Sequence, residues 1–143
     1  MTRADLNTII EAYLQAWADH QPDVIARQHT AEAVAESPLY STLRGRQAIE
    51  DAARAFFTSF PDFAQTINAI VLDPPRAAVF TTVYATHVNE FFGLPGTGRR
   101  IEFRNAWLIT VNDAGLIEHE RRIYDFTGVL VQIGVLRAKP AKP

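Results

Sequence analysis

Hydrophobic and polar positions along the first 60 residues repeat at the spacing of an α-helix. The first apolar stripe follows Thr2 and comprises Leu6, Ile9, Ile10, Tyr13, Leu14 and Trp17. Thr2 and Asp5 have the spacing of a capping box, and Pro22 suits the first turn of a short second helix. The second stripe predicts a third helix from about Arg46 to Pro61, and it comprises Ile49, Ala52, Ala53, Phe56, Phe57 and Phe60.

From Phe63 onward the pattern changes to the alternation of β-strands. It predicts strands at residues 63–72, 77–91, 100–112 and 116–125, separated by turn-forming residues. The pattern of residues 31–37 is ambiguous and favours a short strand, and residues 38–45 are predicted as a loop. A last apolar stripe (Val129, Leu130, Ile133, Leu136) predicts a short helix after Asp125. Helices followed by strands favour an α+β domain over residues 1–136, with residues 137–143 as a mobile tail.

Composition narrows the classes of function. The chain has 143 residues, 48% of them hydrophobic, which is enough for one packed domain. A net charge of −2 without a basic run argues against nucleic acid as a partner. The four histidines lack paired ligand spacing and there is no cysteine, so no metal site and no disulfide are expected. Without a signal-like N-terminus or a membrane-length apolar run, a cytoplasmic protein is expected.

The strand predicted at residues 116–125 ends in a carboxylate. Alternation places His119, Arg121, Ile123 and Asp125 on one face, and Glu118, Glu120, Arg122 and Tyr124 on the other. Asp125 stands between this strand and an apolar helix, where burial would disfavour its charged form, as general acid/base chemistry requires. Two other roles remain open, which are an N-cap of the following helix and an ion pair with Arg121.

Two sequence blocks resemble the SnoaL-like polyketide cyclases. In one, Asp125 precedes a Gly segment and a Leu-Gln-Leu-Gly-like ending, formed here by Gly128, Leu130, Gln132, Ile133 and Gly134. The other block is Thr86-His87-Val88-Asn89-Glu90-Phe91 followed by Gly93-Leu94-Pro95-Gly96-Thr97-Gly98-Arg99. The resemblance covers about residues 84–136. It implies the nuclear-transport-factor-2-like fold, a cone-shaped, curved antiparallel sheet with N-terminal helices on its concave face. It also implies that Asp125 is the general acid/base.

Several further residues are candidates for the site. His87 shares an apolar strand face, so it is either a hydrogen-bonded core residue or a group that polarises a substrate carbonyl. Asn105 and Trp107 lie among apolar neighbours and are either core or pocket wall. The remaining candidates for contact with a substrate are Phe57, Tyr40, His119 and Arg121. Arg121 stands where the family commonly carries tryptophan, and an arginine facing the cavity would suit an anionic or enolate substrate.

These observations lead to a functional hypothesis. The resemblance implies a cyclase that needs no cofactor and acts on a hydrophobic, polycarbonyl small molecule by intramolecular aldol condensation. Asp125 would remove and return the proton, while His87, Asn105 or Arg121 stabilises the oxyanion. Alternatives are an isomerase-like or epoxide-hydrolase-like reaction, or a module that binds a ligand or dimerises without catalysis. A homodimer is expected through a sheet face carrying Glu102, Arg104, Glu118 and Arg122. An open cavity ending at Asp125 would favour catalysis.

Overall fold

The structure is a computed structural model, and it describes residues 1–137. Its helices are α1 (Arg3–Ala18), α2 (Pro22–Arg27), α3 (Arg46–Ser59) and α4 (Phe126–Gln132). The predicted capping box is confirmed, since the Asp5 amide donates to the Thr2 hydroxyl at 3.0 Å and the Thr2 amide donates to the Asp5 carboxylate at 2.9 Å. The predicted tail falls mainly on residues 138–143, which lie outside the described residues.

Six strands form one sheet: β1 (His29–Ser37), β2 (Ser41–Arg44), β3 (Ala64–Asp73), β4 (Arg76–Thr86), β5 (Arg100–Val111) and β6 (Ile117–Ile123). Their order is β2-β1-β6-β5-β4-β3, with β1 and β6 parallel and the other neighbours antiparallel. The α+β class and the curved sheet are therefore confirmed. The ambiguous segment is a strand, and part of the predicted loop at residues 38–45 is strand β2, which pairs with β1.

Strand β4 ends five residues earlier than the sequence pattern predicted, at Thr86. The chain beyond it turns back on itself, and Phe91 and Leu94 form an isolated bridge. Gly96 lies so close to Val88 that an added Cβ would stand 1.9 Å from the Val88 carbonyl oxygen. This compact loop takes the place of the predicted end of the strand.

Two apolar clusters fill the domain. The larger one packs α1, α2 and α3 against the inner face of the sheet, with Ile10, Trp17, Ile49 and Trp107 among its members. The smaller one lies beneath α4 and comprises Phe60, Ala85, Phe91, Ile101, Val129 and Ile133. Helix α4 packs Phe126, Val129 and Ile133 on this second cluster, while its N-cap residue, Asp125, is exposed.

Strand β6 determines which residues face the interior. Its register with β5 shifts at Thr110 and Val111, which is a bulge near the start of the strand. Beyond the bulge, Glu120 is buried and Arg121 is exposed, while Arg122 and Tyr124 line an interior cavity. The even-numbered residues from Glu120 onward therefore face inward, and the face that carries Arg121 and Asp125 points outward.

Candidate functional site

A small cavity lies between the inner face of the sheet, helices α1 and α3, and the β1–β2 connection. Its volume is about 60 Å³, which admits a few waters but is less than the ~150 Å³ of a cavity that holds benzene. Its walls are mostly apolar and aromatic, with Trp17, Leu43, Ile49, Phe56, Phe63, Val83, Phe103 and Trp107 among the lining residues. Ser37, Gln65, Asn105 and Arg122 supply polar groups, and Tyr40 and Tyr124 supply phenols.

A buried charge network supports the polar end of this cavity. The Glu120 carboxylate is fully buried, and Arg122 donates to its Oε1 through Nε at 2.8 Å and through Nη2. The Tyr13 hydroxyl donates to Oε2 at 2.6 Å, and Nε2 of His29 lies 2.6 Å from the same oxygen. Nδ1 of His29 lies 2.8 Å from the carbonyl oxygen of Ile25. Residues of α1, β1 and β6 thus meet at one carboxylate, and a carbonyl oxygen of α2 holds the His29 ring in place.

Two tryptophans hold the Arg122 guanidinium from its sides. Its carbon lies 4.9 Å from the centre of the Trp17 ring and 5.4 Å from that of Trp107. The two rings lie 5.7 Å apart, and the arginine side chain is only 16% exposed. Cation–π contact strengthens when both partners are desolvated, so the aromatic rings and Glu120 together fix the guanidinium in place.

The network also sets the charge states of its members. Burial by itself raises the pKa of Glu120, but the charge of Arg122 and the hydrogen bonds from His29 and Tyr13 outweigh it and hold that pKa well below its usual range. Burial lowers the pKa of Arg122, and the Glu120 carboxylate more than restores it. Burial and the nearby Glu120 charge raise the pKa of the Tyr13 phenol well above its usual value. Glu120 is therefore a carboxylate whose oxygens are already occupied.

Other polar atoms around the cavity have no partner within residues 1–137. They include the indole Nε1 of Trp17 and of Trp107, Oδ1 of Asn105, and both amide atoms of Gln65. All four residues line the cavity, and three of them are more than nine-tenths buried. Since buried polar groups are normally hydrogen-bonded, these atoms leave hydrogen-bonding capacity in the cavity for water or a polar ligand.

An open outer groove adjoins the cavity. It runs between α3 and the loop around Phe92 and has a volume of about 840 Å³. Tyr40, Leu43 and Ala52 line both the groove and the inner cavity, so they form the wall between the two. The Tyr40 ring lies 5.4 Å from the ring of Phe92. A ligand longer than the inner cavity would have to displace or pass Tyr40 to reach the groove.

Asp125 lies outside this cavity. Its side chain is exposed and accepts a hydrogen bond from the Gly128 amide at 2.9 Å, which makes it the N-cap of α4. It lines a shallow outer depression with Thr82, Tyr84, Glu102, Phe103, Arg104, Gly128 and Gln132. The expectation of a carboxylate desolvated under an apolar lid is therefore wrong, because α4 buries its opposite side.

His119 and Arg121 are also turned away from the cavity. Nε2 of His119 lies 2.7 Å from the Glu36 carboxylate, and Arg121 donates to the same oxygen at 3.3 Å. The Arg121 side chain is 53% exposed. An arginine does face the cavity, but it is Arg122. For the same reason Arg122 is not part of an outer dimer surface, contrary to the sequence-based expectation.

The remaining predicted residues divide between cavity and core. Asn105, Trp107 and Tyr40 line the cavity. Phe57 does not, since it stacks on His20 at 4.4 Å within the core, and its neighbour Phe56 lines the cavity instead. His87 is fully buried beside Phe60, with Nδ1 3.1 Å from the Thr97 hydroxyl, and it lines none of the cavities described here.

The network around Glu120 was not among the features predicted from the sequence. A signal was available in the sequence. Glu120, Arg122 and Tyr124 are two residues apart and so share one face of the strand, where the opposite charges of Glu120 and Arg122 can form an ion pair. Tyr13 and Trp17 likewise share the apolar stripe of α1. Because Asp125 was predicted as the functional group, the cavity was expected on the face of this strand that carries Arg121 and Asp125. It lies on the opposite face.

The described part of the chain contains neither a group of three or more potential metal-ligating His, Cys, Asp or Glu residues nor a helix long and apolar enough to cross a membrane.

The curved sheet and its helices have a fold of the nuclear-transport-factor-2-like and ketosteroid-isomerase-like class. Within that class, the chain belongs to the SnoaL-like polyketide cyclase family, because the family model matches residues 7–133. The resemblance seen in the sequence is thereby confirmed. No protein in the curated set shows significant sequence similarity to this chain.

Solved structures with the same fold carry several proposed chemistries. AclR from Streptomyces galilaeus, for which a hydroxylase activity is proposed, is 22% identical, with a TM-score of 0.83 over 97% of this chain and 91% of its own. IdmH from Streptomyces antibioticus, for which a polyketide cyclase activity is proposed, is 26% identical, with a TM-score of 0.75 over 90% and 98% of the two chains. An LEH-like epoxide hydrolase from M. tuberculosis is 19% identical, with a TM-score of 0.71 over 92% and 90%.

Proposed function

We propose that this protein is an acid–base enzyme that needs no cofactor and acts on a small, hydrophobic carbonyl compound, in the manner of a polyketide cyclase. The observation that carries the proposal is the Arg122 guanidinium, which is held by Glu120 and two indoles at the polar end of an aromatic cavity. Donors fixed in advance stabilise developing negative charge at little cost of reorganisation. The family supports the class of reaction.

In this mechanism a substrate carbonyl oxygen accepts hydrogen bonds from Arg122. A water molecule beside the adjacent carbon takes up a proton from it and leaves an enolate, whose charge the guanidinium stabilises. The enolate carbon attacks a second carbonyl of the same molecule, forming a carbon–carbon bond and an alkoxide. The alkoxide takes up the proton that was removed, so no other reactant is consumed. The cavity holds the reacting carbonyl at Arg122 while the rest of the molecule extends past Tyr40 into the outer groove, and this positioning brings the two carbons together.

The phenols at the cavity are suited to donating protons. Burial raises the pKa values of Tyr40 and Tyr124, so both remain protonated near neutral pH. Glu120 is unsuited to act as the base because its oxygens already accept from Tyr13, His29 and Arg122. The resemblance assigns the base to Asp125, which gives a second candidate site in the outer depression beside Arg104.

Turnover by matched variants distinguishes these sites. A panel of polycarbonyl compounds would be incubated with wild type, Arg122→Lys, Asp125→Asn and Arg121→Lys, and the products followed by NMR. We expect Arg122→Lys to lower kcat by about 10²-fold, as does the loss of one oxyanion donor. Arg121→Lys changes a neighbouring exposed arginine and should leave kcat unchanged.

Two results would contradict this proposal. If Asp125→Asn abolishes turnover and Arg122→Lys does not, the reaction takes place in the outer depression. If wild type converts none of the compounds but binds some of them, the protein is better described as a ligand-binding module, a role that the fold also supports.

We also propose that the protein forms a homodimer through the outer face of the sheet. Phe80, Ala106 and Ile123 lie side by side there, and Phe80 and Ile123 are 44% and 61% exposed. Exposed Arg104 and Glu102 add charges of both signs to this face. An apolar row with mixed charges suits a twofold contact between identical surfaces.

A further inference from the structure

We propose that the inner cavity selects a ligand that carries a carboxylate, bound by the free edge of the Arg122 guanidinium. The inference rests on the proposed function in assigning the substrate to this cavity. It adds that the substrate enters as an anion whose carboxylate takes two of the three free N–H groups of Arg122, which leaves one for the reacting carbonyl. Three features of the structure support this proposal: the charge of the buried network, the geometry of its free donors and the enclosure of the cavity.

The buried network carries one uncompensated positive charge. The carbonyl oxygen of Ile25 only accepts, so Nδ1 of His29 must donate to it. At 2.6 Å, Nε2 of His29 and Oε2 of Glu120 must share a proton, since two lone pairs would repel. Whichever of the two holds that proton, the pair is neutral overall, and Arg122 adds one positive charge.

Nothing in the described part of the chain balances this charge. Within residues 1–137, Glu120 is the sole carboxylate that forms an ion pair with His29 or Arg122. The remaining titratable neighbour, Tyr13, stays protonated because burial and the Glu120 charge raise its pKa. Arg46 adds further positive charge, as it donates to the backbone carbonyl of His29 at 2.6 and 3.1 Å. A buried charge is costly unless it is paired, so the network favours an anionic ligand.

The free donors match the shape of a carboxylate. Arg122 has five N–H groups, and Nε and one N–H of Nη2 are engaged by Glu120. The edge formed by Nη1 and Nη2 remains, and it has the spacing for a two-point contact with a carboxylate. The unpartnered indole N–H groups of Trp17 and Trp107 belong to the rings that flank this guanidinium. The unpartnered acceptors of the cavity lining are Oδ1 of Asn105 and Oε1 of Gln65, and the indole N–H groups, Nε2 of Gln65 and the free edge of Arg122 outnumber them.

The cavity walls indicate the rest of the ligand. A volume of about 60 Å³ accommodates a carboxylate head group but not a ring system in addition. Phe56, Phe103 and Leu43 form apolar walls, and the route to the outer groove passes Tyr40. The ligand is therefore expected to be a flat, apolar carboxylate whose ring displaces or lies against Tyr40.

Benzoate and benzamide form a matched pair of probes, because they share size and shape and differ in charge. Trp17 and Trp107 are the only tryptophans of the chain, so their two indole N–H signals in a ¹H–¹⁵N NMR spectrum report directly on the site. We expect benzoate to shift both signals and to bind about tenfold or more tightly than benzamide, because charge-assisted hydrogen bonds are roughly twice as strong as neutral ones. Arg122→Gln should weaken benzoate binding by at least a similar factor, and Arg121→Gln should leave it unchanged.

Trp107→Phe tests the same idea if Arg122→Gln does not fold. This variant removes one indole donor and keeps the charge, so benzoate should bind several-fold more weakly while still shifting the Trp17 signal. Equal binding of benzoate and benzamide would overturn the proposal, as would equal losses in Arg121→Gln and Arg122→Gln. If benzoate binds no more tightly than benzamide but neutral polycarbonyl compounds are still turned over, only the preference for an anion is refuted. Benzoate binding without any turnover would instead refute the proposed catalysis.

Discussion

Replacing Glu120 with glutamine tests whether the buried network holds the domain together. The carboxylate is fully buried. It accepts hydrogen bonds from Tyr13 and Arg122, and it contacts Nε2 of His29. The variant leaves the Arg122 guanidinium buried without a counter-charge. Arg122 cannot release its proton, so the cost falls mainly on the arginine.

Breaking a buried ion pair by removing one partner costs about 3–5 kcal/mol. For a domain of this size such a loss corresponds to a fall in Tm of about 10–20 °C. Urea unfolding followed by tryptophan fluorescence measures the free energy, and both tryptophans lie against the network. Glu118→Gln is the matched control on the same strand, and because Glu118 is exposed it should change stability by less than about 0.5 kcal/mol.

The pH dependence supplies an independent check. In the folded protein the pKa of Glu120 is lowered from its ordinary value of 4.5. A lowered carboxylate pKa contributes stability that is fully present above the unfolded value and is lost as pH falls toward the folded one. The gap between wild type and Glu120→Gln should therefore be constant from about pH 6 to 8 and should narrow below pH 4.5. A loss under about 1 kcal/mol at pH 7, or a gap that widens in acid, would refute this reasoning.

Three further predictions concern the outer surface. Asp125→Ala should cost about 1 kcal/mol through loss of the N-cap, while Asp125→Asn should cost little, as thermal unfolding would measure. Gly96→Ala should destabilise the domain by about 1–3 kcal/mol in the same assay, because its Cβ would meet the Val88 carbonyl. Ile123→Lys should shift a dimer to monomer in light scattering, whereas Val88→Lys, also exposed, should not. If Ile123→Lys has the same mass in light scattering as the wild type, the outer face of the sheet is not the dimer interface.

The main elements of the fold could be predicted because their signals are local. The stripe of α1, its capping box and the stripe of α3 each depend on neighbours within a few turns. Strand β2 was missed because four residues give too short a pattern, and its pairing with β1 defines it. The end of β4 was misplaced since the alternation continues into residues that form the loop around Gly96.

The site was harder to predict because it depends on long-range geometry. Asn105, Trp107 and Tyr40 were identified as candidates and do line the cavity. Asp125 was chosen from its motif, but its orientation depends on which face of β6 packs inward. Glu120 meets Tyr13 and His29 across 107 and 91 positions of the chain, and no periodicity reports such a contact.

By itself the sequence determined the α+β class, the family and most of the element boundaries, because hydrophobic periodicity and short motifs are properties of consecutive residues. The tertiary structure alone decided that Arg122 and not Arg121 faces the cavity. That choice follows from a bulge at the start of β6 and from the packing of α4 over the second apolar cluster. A shift of one residue along a strand exchanges its two faces, so adjacent arginines of identical chemistry have opposite surroundings.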